Sequence, residues 1–200
     1  MYGNEITEAS KSALLELGLS LGQYRNDIVL TGGWAPYFIT HGFFQHCGSI
    51  DIDLALKTET LPKYEKIRTI LETLGYIEDR NPFRFSRWIQ SPIDGKKYQM
   101  HLDLLCEKEG ITHIYHLREV QEDLMAHVFD GVSLAFDFNF EQEIETYLPE
   151  NGKAKTTFKV VDLVGSLALK ANALVGRHNI KDSYDIFALT HYHGGTSEAA

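Results

Sequence analysis

Apolar residues along this chain repeat with two periods, and the elements change where the period changes. Leu14, Leu15, Leu17, Leu19 and Leu21 give residues 5–21 the stripe of an amphipathic helix. Asp27-Ile28-Val29-Leu30 is a short apolar run of strand type, so residues 28–31 are expected as a strand, followed by a short helix over 34–41. In Ile50-Asp51-Ile52-Asp53-Leu54 the period falls to two. This predicts a strand over 50–56 with Ile50, Ile52 and Leu54 on the buried face and both aspartates on the other. Ile67, Ile70, Leu71 and Leu74 share one stripe that Gly75 ends, a helix over 61–74 with its C-cap. Residues 83–90 and 97–106 read as a hairpin across Ser91-Pro92-Ile93-Asp94-Gly95. The pattern also predicts helices over 119–128 and 161–175 and strands over 133–138 and 142–148.

Composition narrows this to a compact enzyme-sized unit. Two hundred residues, 44% hydrophobic and 24% charged, can bury a core and fit one domain, or a catalytic domain with a small helical appendix. No window reaches 18 apolar residues and the N-terminus lacks the pattern of a secretory signal, so a cytoplasmic protein is expected. Cys47 and Cys106 are too few for a disulfide framework or zinc knuckle and read as two reduced thiols, with Cys106 buried. A net charge of −9 argues against nonspecific coating of nucleic acid, which depends on phosphate neutralisation by Lys and Arg. Residues 151–181 reverse that balance, with Lys153, Lys155, Lys159, Lys170, Arg177 and Lys181 against Asp162 alone. They form either a solvated face or a phosphate-facing wall.

The candidate chemistry sits around the two-period strand. Side chains alternate along a strand, so Asp51 and Asp53 point the same way, about 6 to 7 Å apart, a spacing that suits a shared divalent cation. Gly32-Gly33 lies between the strand at 28–31 and the helix at 34–41, where glycines let backbone amides approach a phosphate. Either feature alone is weak, since Asp-x-Asp is common at solvated strand ends and Gly-Gly in plain turns. Together they supply what holds a nucleoside triphosphate (NTP) with its magnesium. In His101-Leu102-Asp103-Leu104-Leu105 the carboxylate of Asp103 lies among apolar neighbours and needs a cation or donor to meet it, or else faces solvent. His101 shares its face, as a substrate contact or a surface neighbour.

Thr31-Gly32-Gly33-Trp34 followed by Gly48-Ser49-Ile50-Asp51-Ile52-Asp53 resembles the nucleotidyltransferase superfamily typified by DNA polymerase beta. Near the other end, Asp162-Leu163-Val164-Gly165-Ser166-Leu167-Ala168-Leu169-Lys170, then Arg177 and Lys181-Asp182-Ser183-Tyr184-Asp185-Ile186, is similar to AbiEii-type nucleotidyltransferases of toxin–antitoxin and phage-abortive systems. The resemblance spans about residues 28–189. It implies an α+β polymerase-beta-like nucleotidyltransferase fold, a mixed sheet flanked by helices with a small C-terminal helical region. Residues 1–158 would form the core, and 159–200 a helical segment packing on the active-site cleft. The implied activity is metal-dependent transfer of a nucleoside monophosphate from an NTP to an acceptor hydroxyl. Asp51, Asp53 and Asp103 would ligate Mg²⁺ or Mn²⁺, with Asp103 also the candidate base. Gly32, Gly33, Ser49, Lys170 and Asp182 would lie at the nucleotide, although Asp182 could instead cap a helix beginning at Ser183. An RNA or tRNA end or a protein is the implied acceptor, and an antitoxin the implied partner.

The chain also departs from that family. Cys47, beside His46, stands where an arginine is usual, and Trp34 replaces a small residue, which is similar instead to aminoglycoside and lincosamide nucleotidyltransferases. Members commonly continue with further helices, so a short or truncated protein is expected. An antibiotic-modifying enzyme and a catalytically silent antitoxin-like or scaffold relative are the rival readings. In the favoured one, Leu163, Leu167 and Leu174 grip the sheet and turn Lys170 into a cleft shared with Gly32, Gly33, Asp51, Asp53 and Asp103. Arg80, Arg84 and Arg87 interleave with Phe83, Phe85 and Trp88, compatible with stacking on RNA bases or with edge-strand packing. His191 and His193 read as a flexible tail or, less simply, a metal pair.

Overall fold

The computed structural model describes residues 3–58, 66–108, 116–150, 152–176 and 179–193. Its sheet is built outward from β2 (Asp51–Leu56), which pairs antiparallel with the wholly buried β1 (Ile28–Leu30) and parallel with β5 (Lys97–Glu107). On the far side of β1 lies β9 (Lys153–Val161), parallel to it, and then β8 (Asn139–Tyr147), antiparallel to β9. The long strand β5 divides its other edge between two partners. Lys97–Asp103 pair antiparallel with β4 (Arg84–Gln90), which carries β3 (Ile77–Glu78), and Leu105–Glu107 pair parallel with β7 (Leu124–Phe129), which carries β6 (Leu117–Gln121).

Ile52, Leu54, Leu102 and Leu104 are fully buried in one core with Leu14, Leu15 and Leu17 of α1 (Asn4–Ser20), each worth about 1.5–3 kcal/mol on removal from water. The period-two pattern thus assigns the aspartates to the other face. Helix α3 (Ile67–Thr73) ends at Leu74, and Gly75 follows at φ +82°, its amide bonded to the Glu72 carbonyl, as the sequence predicts. Residues 61–65 of that expected helix lie outside the described residues. The α2 helix (Trp34–Ile39) follows the Gly-Gly turn, and α5 (Leu163–Gly176) and α6 (Ile180–Tyr192) pack on each other and on α2. Among the described residues no helix is long and apolar enough to cross a membrane.

Three expectations fail. Residues 119–128 form the β6–β7 hairpin rather than a helix. The helix formers Glu119, Glu122, Leu124, Met125 and Ala126 mask an alternation in which Leu124 and Ala126 are buried, and Asp123 takes the turn at φ 60°. Residues 133–138 are not a strand but hold a short helix, α4 (Leu134–Asp137), whose end Asn139 secures by donating its side-chain amide to the carbonyls of Ala135 and Phe136. Strand β9 fills 153–161, where the sequence reading saw only charge. Its lysines alternate with Phe158 and Val160, which are buried.

Candidate active site

Register assembles the acidic centre. Asp51 stands opposite His101 and Asp53 opposite Asp103 on adjacent parallel strands, so three carboxylates share one face at strand spacing. Burial first, and then the charges of Asp103 and Asp51, push Asp53 up to about 7, against the pull of Lys170 and Lys181. Asp103 meets its countercharge within the protein. Arg84, opposite it on β4, donates Nε to Oδ1 at 2.7 Å and Nη2 to Oδ2 at 2.6 Å, a bidentate pair that keeps the guanidinium charged. Among the described residues no group of three or more His, Cys, Asp and Glu is arranged to hold a metal ion. Asp103, on the same face as Asp51 and Asp53, is turned to Arg84. The pair Asp51 and Asp53 remains open to the cavity. Two carboxylates still fit Mg²⁺, which commonly takes one or two from protein and the rest of its oxygens from phosphates and water.

The Gly-Gly turn is shaped by what presses on it. Gly32 sits at φ +64°, and a Cβ there would overlap the Asp53 carboxylate. At Gly33 a Cβ would lie 2.8 Å from Ser49 Oγ and 3.2 Å from Lys181 Nζ. Thr31 fastens the turn to β2, its amide donating to the Asp53 carbonyl at 2.9 Å. Ser49 is fully buried and donates to the Asp51 carbonyl at 2.9 Å; it braces the loop behind the cavity and does not line it.

Lys170 points into the cavity from α5, 7% exposed, with Nζ 2.6 Å from Asp185 Oδ2 and 3.2 Å from Asp182 Oδ1. Burial pulls its ammonium down, but Asp185, then Asp182 and Asp53, outweigh that and hold it above the usual lysine value. Asp185 in turn meets His46 Nε2 at 3.0 Å, while His46 Nδ1 accepts from the Gly48 amide at 3.2 Å, which places the ring proton on Nε2. Burial pushes the Asp185 carboxyl up, but His46 and Lys170 together hold it below the ordinary carboxylate range. The loop before β2 is thus tied to α6 through buried charge.

Sequence reasoning had noted His46 only as a neighbour of a missing arginine and had missed Asp185's part. The signal was present, since Asp182 and Asp185 are three apart and so share a helix face. Asp182 is not the helix cap; Asn179 is, accepting from the Lys181 amide at 3.0 Å. Lys181, expected within the basic segment, lines the cavity with Nζ 3.5 Å from Ser49 Oγ.

The basic segment splits. Lys155 pairs with Glu143 at 3.1 Å and Lys153 sits over Tyr147, away from the cavity, whereas Lys170 and Lys181 line it; Arg177 lies outside the described residues. The arginine–aromatic pattern on β4 forms no single stacking surface, since Arg84 holds Asp103, Arg87 pairs with Glu16, and Phe85 is fully buried. His191 and His193 hydrogen-bond carbonyls of α6, the helix that runs on through Tyr192. Cys47 and Cys106 are both free thiols, Cys106 fully buried.

Gly32, Gly33, Asp51, Asp53, Asp103, Lys170 and Asp182 all line one cavity of about 700 Å³, within the usual range for small-molecule sites. No known family profile matches the chain, and no curated protein matches it. A solved structure does. The crystal structure of an antigenic nucleotidyltransferase-like protein from Paracoccidioides brasiliensis is similar with a TM-score of 0.54, covering 92% of this chain and 75% of that one at 15% identity. The likeness establishes a nucleotidyltransferase-like α+β fold, a mixed sheet flanked by helices with a helical C-terminal region.

Proposed function

We propose that this protein is a metal-dependent nucleotidyltransferase that moves a nucleoside monophosphate from an NTP to an acceptor hydroxyl, in a cytoplasmic setting. What carries the reading is one convergence. On a nucleotidyltransferase-like fold, the Gly32–Gly33 turn, the Asp51–Asp53 pair, and Lys170 and Lys181 open onto the same cavity. Asp51 and Asp53 would hold Mg²⁺ or Mn²⁺. Such an ion would supply positive charge that offsets the negative charge of the leaving pyrophosphate. Gly32 and Gly33 present backbone amides to the phosphates, and Lys170 and Lys181 add point charges. Asp103 takes the proton of the attacking hydroxyl once Arg84 frees one of its oxygens.

Lys170, Lys181, Asp182 and Asp185 favour the AbiEii-type toxin reading. The antibiotic-modifying alternative loses its sequence support, because Trp34 is fully buried, stacks on Phe38 and does not line the cavity. The test incubates the protein with each labelled NTP, Mg²⁺ and total RNA, and separately with aminoglycosides and lincosamides. Label should pass to an acceptor with wild type and not with Asp51→Asn; transfer undiminished in that variant would end the proposal.

A further inference from the structure

The cavity is longer than its charged centre requires. Past Asp103 the same face of β5 carries Leu105, and in register beside it β7 carries His127, with Phe129 two residues on; all three line the cavity. One face of the His127 ring is covered by Phe83, with centroids 4.9 Å apart and planes at 24°. His116 and Phe129 flank His127, each with centroids at 6.4 Å. Across from these rings, Leu169 and Ala173 of α5 lie one turn apart and close the slot. Rings and aliphatic groups thus line this part of the cavity, with Lys108 and Asp130 at its far rim, whereas carboxylates and ammonium groups line the other end.

The order of strands decides what the slot receives. The cavity runs from the turn after β1, across β2 and β5, to β7. On the nucleotidyl-transfer reading, the leaving pyrophosphate sits on the side of Gly32, Gly33 and Lys181. In phosphoryl transfer the attacking oxygen comes in roughly opposite the leaving one. That opposite side is β5 and β7. We propose that the ring-lined end is the acceptor subsite, stacking the base of a nucleoside whose sugar hydroxyl reaches back to Asp103. From Asp103 to His127 is two residues along a strand and one strand across, about 8 Å, and Phe129 lies two residues farther. A hydroxyl carried on the ring itself, as in tyrosine, is too short for that span, while a sugar between base and hydroxyl bridges it. An aminoglycoside has no aromatic face to offer the slot. The inference rests on the nucleotidyl-transfer reading and adds the acceptor to it.

Binding is tested first without NTP or metal. The imidazole NMR signals of the protein are followed during titration with single-stranded tetra-adenylate, N-acetyltyrosine amide and kanamycin. Tetra-adenylate should shift the His127 signal, assigned by its loss in His127→Leu, and the other two should not. No shift with tetra-adenylate, or a shift with tyrosine amide or kanamycin instead, overturns the proposal. In transfer assays His127→Leu and Phe129→Leu, each checked by melting, should raise the KM for tetra-adenylate about tenfold or more, the scale of one lost base stack, with the KM for NTP unchanged. A raised KM for NTP with an unchanged acceptor KM would assign the slot to the donor's base and sink the idea. Should no NTP be bound or transferred at all, the nucleotidyl-transfer reading fails by itself, and the wild-type titration still decides whether the slot takes a nucleoside.

Discussion

The two walls of the cavity handle charge in opposite ways. On the helical wall Lys170 is met by Asp182 and Asp185, and Asp185 by His46, so that each buried ionic group meets a partner within the protein. On the strand wall Asp53 is beside two other carboxylates, and burial, then their repulsion, pushes its carboxyl up to about 7. The helical wall is finished before any ligand arrives. On the proposed function, the cation held by Asp51 and Asp53 would complete the strand wall, which would make it the half that senses metal.

That contrast predicts opposite responses to losing one charge. Lys170→Ala strands two buried carboxylates and should cost about 3–5 kcal/mol of folding stability as well as turnover. Adding Asp185→Asn should restore part of the stability and none of the activity, and urea titration of the two variants reads both. Asp53→Asn removes a repelled charge, so the metal-free protein should melt no lower than wild type. The rise in melting temperature with Mg²⁺ or Mn²⁺ and NTP should disappear, and turnover should drop about 10²-fold or more. A destabilised Asp53→Asn, or one that keeps its metal response, would erase the distinction between the walls.

pH sharpens the same point. The Asp53 carboxyl is raised from 3.8 to about 7 on folding, so the folded state holds its proton more tightly. Its contribution is fully present below pH 3.8 and is lost as pH rises toward 7. Metal-free wild type should therefore lose stability over that window relative to Asp53→Asn, and saturating Mn²⁺ with NTP should flatten the difference. The smallest effect belongs to Lys153→Ala, outside the cavity, which should change stability by no more than about 0.5 kcal/mol and leave turnover unaltered.

The strand wall was legible in the sequence because Ile52 and Leu54 alternate with the aspartates, and that period alone fixes which face each takes. Lys170 does turn inward, but Leu163, Leu167 and Leu174, from which that was expected, are only half-buried; Gly165, Ser166, Leu169 and Ala173 bury the helix beside it. Arg84's grip on Asp103 was not legible, since it depends on the register of β4 against β5, and alternation specifies a face without specifying a partner. The pairing of His46 with Asp185 joins residues 139 positions apart and left no local trace beyond two carboxylates on one helix face. The slot stayed hidden for another reason. His127 and Phe129 lie in a stretch whose glutamates, methionine and alanine favour a helix, and hairpin pairing overrode that preference.

The pairing of the sheet also bears on how the chain reaches its working form. The β4–β5, β6–β7 and β8–β9 pairs are each local hairpins that close short loops, whereas β1, β2 and β5 come together through a long antiparallel reach and parallel pairings that span distant stretches of chain. Gly32, Asp53 and Lys170 lie outside all three hairpins and are brought together only by the distant pairings and the helix packing. A nascent chain with its hairpins formed therefore holds no half-built cavity. The cavity is completed with the slowest contacts to form, so on the proposed function nucleotide binding would report complete folding.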